Sequence, residues 1–250
     1  MTHLCVTSRV GELQVTSGCP HGDFNEVESI MQAIMDNIRP TVLAIAIALG
    51  LGVHCSEANA APSETAVFAG GCFWCVESDF ESVPGVIEAE SGYTGGTVAN
   101  PSYKQVVGGG TGHYEAVRIT YDPGKVSYET LVDLFFRSVD PTDDGGQFCD
   151  RGHSYTTAIF ATPSQEAAAR AGKSNAQAAL GETIVTPIRA AGPFYLAEEY
   201  HQDYYKKNDL VLTRFGPTSK AKAYKRYRDA CGRDDRVRQL WGADAPFAGS

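Results

Sequence analysis

Two glycines, Gly70 and Gly71, separate Thr65-Ala66-Val67-Phe68-Ala69 from the ten residues Cys72 to Glu81, CFWCVESDFE. The first stretch reads as a short strand, and the acids of the second mark it as an opening helix. A strand that turns into a helix across Gly-Gly places Cys72 at the helix N-terminus. Unpaired N–H groups and the helix dipole favour negative charge there, which predicts a thiol below its free value of about 8.5. The glycines also leave room above the sulfur for a reacting group. Phe73 and Trp74 beside it would form an apolar wall sized for a methyl group.

The rest of the chain supplies further short elements. Val86 to Tyr93 reads as a strand and Gly92 to Pro101 as a loop, with Tyr103 just after it. Tyr114 to Tyr121 alternates around Ala116, Val117 and Ile119, with Glu115 near its start, and closes at the turn Asp122-Pro123-Gly124. Ser127 is a helix cap, and Leu131, Leu134, Phe135 and Val139 behind it recur at helical spacing. Thr156–Phe160 predicts a strand, Ser164 a cap for a helix running to about Leu180, Thr183–Ile188 another strand, and Glu198–Asn208 a helix. Segments of this length, alternating without a regular repeat, predict an α+β fold in two layers with an irregular C-terminal tail. That tail, 209–250, is expected to be loosely packed and mobile, and it carries Cys231.

Upstream, Val42 to Val53 is a twelve-residue apolar run, too short for the roughly 20 residues of a membrane span. Arg39 precedes it, and Ala58-Asn59-Ala60 follows as a small-x-small cleavage pattern, so residues 1–60 read as an export signal, with Met31 or Met35 the expected true start. The mature chain is then a single catalytic domain over 61–250, periplasmic or secreted; it is cytoplasmic if the segment is not a signal. His54 is too bulky for the position before a lipidated cysteine, so no membrane anchor is expected. Thirty acidic against 21 basic side chains give a formal charge of −9, which argues against nucleic-acid partners.

Four cysteines lie beyond the signal: Cys72, Cys75, Cys149 and Cys231. Two structural disulfides in a secreted binding domain would account for them. A Cys72–Cys75 thiol-disulfide oxidoreductase is a second reading. A zinc site using Cys149 and His153 is disfavoured, because Arg151 would place a cation beside the metal, and no metal is expected.

Six ordered motifs resemble the peptide-methionine (S)-S-oxide reductases, the MsrA family. They are Gly70-Gly71-Cys72-Phe73-Trp74, Gly92-Tyr93-Thr94-Gly95-Gly96, Pro101-Ser102-Tyr103, Gly112-His113-Tyr114-Glu115-Ala116-Val117, Asp150-Arg151-Gly152 with Tyr155, and Tyr200-His201-Gln202-Asp203-Tyr204. The resemblance implies a two-layer α/β sandwich with a mixed sheet and a ferredoxin-like core, in which Cys72 is the nucleophile and Glu115 the acid, kept protonated by burial. It implies that Tyr103 and Tyr155 bind the sulfoxide oxygen with Asp150 in support, and that Phe73 and Trp74 hold the substrate methyl. Attack would leave methionine and a sulfenic acid on Cys72, closed to a disulfide by a second thiol. Family members often carry that resolving cysteine in a C-terminal segment, which here is Cys231; Cys75 and Cys149 are the alternatives. The implied protein is a monomer without a bound cofactor, recycled by a thioredoxin-like reductant, that repairs oxidised proteins. His113 and His201 are expected to be structural.

Overall fold

The computed structural model describes residues 62–214 and 216–249. A division at Asn59–Ala60 places all of them in one unit, and the expected signal with its alternative starts lies outside them.

Alternation along the strands decides the layers. In β1 (Glu64–Gly70) Phe68 points into the main core, while Val67 and Ala69 face a second, smaller cluster with Ala158 and Phe160. In β3 (Tyr114–Tyr121) Val117, Ile119 and Tyr121 join Phe68, whereas Tyr114 and Ala116 join Ala69. This period of two gives the sheet one face under helices and one under loops. Three helices cover the first face: α1 (Phe73–Glu81), α3 (Tyr128–Ser138) and α4 (Glu166–Leu180), while α2 (Tyr103–Val107) is a short turn at the sheet's end. Phe80 of α1 and Leu131 and Phe135 of α3 meet Phe68 with no solvent exposure. Ser127 caps α3 as expected, accepting from Thr130 N–H.

β2 (Val86–Thr94) pairs antiparallel with β3, β3 with β1, and β1 with β6 (Thr157–Ala161). The four run in the order β6-β1-β3-β2, the ferredoxin-like arrangement. β7 (Ile188–Ala190) adds to β6 in parallel and β8 (Phe194–Leu196) to β2 antiparallel, which makes a mixed six-stranded sheet. A small hairpin, β4 (Gly146–Gln147) with β5 (Asp150–Arg151), stands at the end of the sheet near Gly71.

Several local expectations fail for identifiable reasons. Ser164 does not cap α4: the N-cap is Gln165, whose amide and that of Glu166 bond the Thr162 carbonyl while its Oε1 accepts from Thr162 N–H. The strand expected over Thr183–Ile188 begins only at Ile188, because Pro187 has no N–H to donate to a ladder. Glu198–Asn208 forms consecutive turns, and Asp203 at φ 55° is incompatible with a continuing helix. The acids of α1 lie outside its first turn: Glu77 and Asp79 are buried and held by Ser91, Asp203 and Arg228.

The tail is neither irregular nor loose. It forms the hairpin β9 (Leu210–Thr213) with β10 (Gly216–Ser219), then α5 (Lys220–Ala230) and α6 (Arg233–Trp241). Val237, Trp241 and Phe247 join the main core. Arg233, 2% exposed, donates to the carbonyls of Gly70 and Ser138, and Arg228 donates to Asp79 at 2.8 Å. Beside these apolar contacts, two guanidinium groups with five donors each tie the polar segment down, Arg233 at the Gly-Gly turn and Arg228 at α1.

Candidate active site

The Gly70-Gly71 turn is required by its surroundings. Gly71 adopts φ 83°, and a Cβ there would lie 2.5 Å from Gln147 Cβ. Gln147 is fixed in turn by Asp140, whose N–H it accepts and whose carbonyl it bonds. Cys72 therefore stands at the N-cap of α1, half-buried, with its carbonyl taking the amides of Cys75 and Val76.

Glu115 comes from the helix-covered face of β3, the face of Val117 and Ile119, and is 1% exposed. Its Oε2 accepts the N–H of Phe73, the first amide of α1, at 3.1 Å. That bond, and contact with the Tyr155 hydroxyl, favour the carboxylate; burial opposes them and wins, raising the carboxyl to about 8. Glu115 is therefore protonated at neutral pH. The Tyr155 hydroxyl also meets that of Tyr103, whose phenol burial pushes up to about 12. Both phenols are thus donors throughout the physiological range. Glu198, which no motif singled out, sets this edge by accepting from Tyr103 N–H and Tyr93 O–H, both at 2.9 Å.

Cys72 departs from expectation. Its S–H donates to Cys75, and this bond, burial, and the charges of Glu115 and Asp150 raise the thiol well above the ordinary value. The first amide of the helix is bonded to Glu115 rather than to the thiol. The low thiol of the pair is Cys75, drawn to about 7 by the Cys72 bond against the opposing effect of burial, with Arg233 and Arg228 assisting.

Cys72, Phe73, Trp74, Tyr103, Glu115, Asp150 and Tyr155 all line one cavity of about 310 Å³. Cys75, Cys149 and Cys231 line it too, but the last two are joined to each other, so Cys231 is bonded to Cys149 and not poised alone against Cys72. Asp150 is raised by burial, with Arg233 and Arg214 pulling the other way. Trp74 stacks on Tyr204 with ring centres 3.7 Å apart and donates Nε1–H to His201. Burial holds His201 down at about 4, so it is a neutral acceptor. His113 receives the Gly96 amide and bonds the Val98 carbonyl. His153, considered above with Cys149 for a metal, bonds the Gly112 carbonyl.

The opposite wall was not foreseen. Leu212, Arg214, Tyr224, Arg228 and Arg233 all reach the cavity from the tail. A signal existed, since Tyr224, Tyr227, Arg228 and Cys231 recur at three- and four-residue spacing, which is one face of a helix.

The family model described as peptide methionine sulfoxide reductase matches residues 64–232. The chain belongs to this family. It is 50% identical over 207 residues to peptide methionine sulfoxide reductase MsrA 2 of Caulobacter vibrioides, covering 82% of this chain and 100% of that one. It is 51% identical over 193 residues to MsrA 2 of Rhizobium meliloti, covering 77% and 90%. Among solved structures, methionine sulfoxide reductase A of Corynebacterium diphtheriae aligns with a TM-score of 0.55 at 34% identity, over 61% of this chain and 78% of that one. Reduced Mxr1 of Saccharomyces cerevisiae also aligns at 0.55, with 32% identity, over 57% and 83%. The described fold and the family agree, and the chain is an oxidoreductase of this class.

Proposed function

We propose that the cavity reduces methionine-S-sulfoxide, free or in proteins, and so repairs oxidative damage. The observation that carries this is a protonated carboxyl, Glu115, in the same enclosed space as a nucleophilic thiol and two phenolic donors. Breaking a sulfoxide S–O bond needs attack at sulfur together with a proton at oxygen. Tyr103 and Tyr155 hold the oxygen, Phe73 and Trp74 face the methyl, and Asp150 supports the oxygen side.

The proton inventory closes. Cys72 passes its proton to Cys75 and attacks the sulfur as thiolate; Glu115 gives its proton to the oxygen, which transfers to Cys72. Methionine leaves, with a sulfenic acid on Cys72 and a carboxylate on Glu115. Cys75 then attacks Cys72, its own proton leaving with the hydroxyl as water, and a Cys72–Cys75 disulfide remains. The water carries one proton from the cysteine pair and one from Glu115, and the two thiols supply both electrons.

Cys75 takes the resolving step in this reading because it already contacts Cys72, while Cys231 is held by Cys149. Cys149 and Cys231, once reduced to thiols, exchange with the Cys72–Cys75 disulfide and become the disulfide themselves. Cys149 is exposed, so a thioredoxin-like reductant acts there. Each chain carries its own complete cavity and works as a monomer, which sedimentation would test.

The test supplies each epimer of a methionine sulfoxide peptide to fully reduced protein freed of reductant. The S epimer alone should be consumed, two per chain for the native protein and one for Cys231→Ser. One per chain in both would make Cys149–Cys231 purely structural. No consumption, with insulin disulfides reduced instead, would replace the proposal by thiol-disulfide exchange. The export reading of residues 1–60 has its own test: periplasmic protein beginning near Ala61 supports it, and an intact N-terminus in the cytoplasm refutes it.

A further inference from the structure

Two places among the described residues bring three metal-ligating atoms within 4.8 Å of one another. At Glu77, Glu81 and Asp203 a cation is already built in, because Lys206 Nζ lies 2.7 Å from Glu81 and 2.9 Å from Asp203. The other place is Cys149, Asp150 and Cys231. Its sulfurs are bonded to each other in the oxidised chain, and an Asp150 carboxylate oxygen lies 3.9 Å from the Cys149 sulfur. Reduction turns that bond into two thiols on facing elements, the turn of the β4–β5 hairpin and the end of α5. A tetrahedral zinc ion with Zn–S bonds of about 2.3 Å holds two sulfurs about 3.8 Å apart, a separation within reach of two cysteines already close enough to bond. Arg151, the cation that counts against zinc in the sequence, is turned to Asp143, and His153 is bonded to the Gly112 carbonyl. The carboxylate beside the sulfurs is thus the third ligand, in place of the histidine.

We propose that Cys149, Cys231 and Asp150 form a binding site for zinc or a similarly thiophilic divalent ion, open only in the reduced protein. Two S–H groups release their protons to solvent as two metal–sulfur bonds and one metal–oxygen bond form, and no electrons move. Thiolate ligands select such ions over magnesium and calcium. Two thiolates and one carboxylate around a doubly charged cation leave one negative charge, and Arg233 and Arg214, whose charges already act on Asp150, balance it. Cys149 is exposed, which gives the ion a way in and leaves its fourth position to water. Cys72 and Cys75 bond to each other and have no third ligand equally close among the described residues, so the metal does not settle there. While the ion holds both sulfurs, they cannot exchange with a Cys72–Cys75 disulfide. That consequence rests on the exchange reading above; the site itself does not.

The experiment titrates Zn²⁺ alone into the fully reduced, reductant-free chain under argon, with calorimetry in two buffers to count protons. The expected result is one ion per reduced chain with about two protons released, no binding to the oxidised chain, and unchanged affinity in Cys72→Ser/Cys75→Ser. Cys231→Ser should lose more than the roughly 100-fold that removal of an outer-shell partner costs, and Asp150→Asn at least roughly tenfold. Reduced chains lack the disulfide in any case, so Cys231→Ser leaves the covalent frame as it was. Native affinity in either of these variants overturns the proposal. So does loss of binding in Cys72→Ser/Cys75→Ser, binding to the oxidised chain, or no binding at all. After one turnover on a methionine-S-sulfoxide peptide, mapping should find the disulfide at Cys72–Cys75 with zinc present and at Cys149–Cys231 without it. Transfer to Cys149–Cys231 in spite of bound zinc overturns the proposal, whereas no transfer in the metal-free chain refutes the exchange reading and leaves the site standing.

Discussion

Residues 64–161 place Cys72, Glu115, Tyr103 and Tyr155 on one side of the cavity, at a strand-to-helix turn, at the start of a strand, and at two short helical turns. Residues 204–233 build the facing side from a hairpin and two helices. On the first side backbone groups set the geometry: Gly71 packs against Gln147, the Phe73 amide bonds Glu115 and the Tyr103 amide bonds Glu198. The second side is fixed by long cationic side chains, with Arg233 and Arg228 reaching back to Gly70, Ser138 and Asp79. Backbone fixation gives a geometry that few substitutions leave intact. Side-chain fixation gives a wall that supplies charge and grip, with one reducible link, the Cys149–Cys231 bond, beside it.

The largest effects are expected at the first side. Cys72→Ser should abolish sulfoxide reduction while leaving the thermal transition in place; surviving turnover would mean that the nucleophile is elsewhere. Glu115→Gln should lower kcat by about 10²–10⁴-fold, and it should erase a fall in native activity as pH rises through about 8, where the carboxyl loses its proton. The same group affects stability. Its folded value is raised above its ordinary one, so the folded protein binds the extra proton between about 4.5 and 8 and stability falls as pH rises through that window. Glu115→Gln should flatten that fall in urea titrations at pH 5 and pH 8.

The second side should respond in stability more than in chemistry. Cys149→Ser with Cys231→Ser opens a loop of 82 residues and should cost about 4 kcal/mol in denaturant unfolding. Arg233→Met removes donors from two buried carbonyls and should cost about 3 kcal/mol. If either change instead stopped the first turnover of reduced protein, the division of labour between the two sides would be wrong. The smallest effect belongs to neither side: Arg170→Ala breaks an exposed pair with Glu166 and should shift stability by roughly 0.3–0.5 kcal/mol.

Legibility in the sequence follows the same line. Gly70-Gly71-Cys72 specified its own turn because a positive φ and a lost Cβ are local demands, and β3 was readable because alternation is local. The α+β class follows from such elements, whereas the ferredoxin-like strand order is implied by the family resemblance and depends on long-range pairing that no single element encodes. The tail was misread as loose because polarity was taken for solvation. Arg233 is polar and 2% exposed, and its partners are carbonyls some 95 and 163 positions away, which no local pattern encodes. The raised Cys72 thiol was missed for a related reason: helix position was visible, but the approach of Glu115, Asp150 and Cys75 is a property of the folded cavity.

The bond between Cys149 and Cys231 encloses β5, β6, α4, β7, β8, the β9–β10 hairpin and α5 in one covalent ring. A protease that cuts within that ring, for instance beside Gly181, leaves both pieces attached and the two sides of the cavity together. Such a nicked molecule keeps its mass on a gel run without thiols and falls into two fragments on one run with them. The reductant that returns the enzyme to work is thus also the agent that sorts intact copies from cut ones.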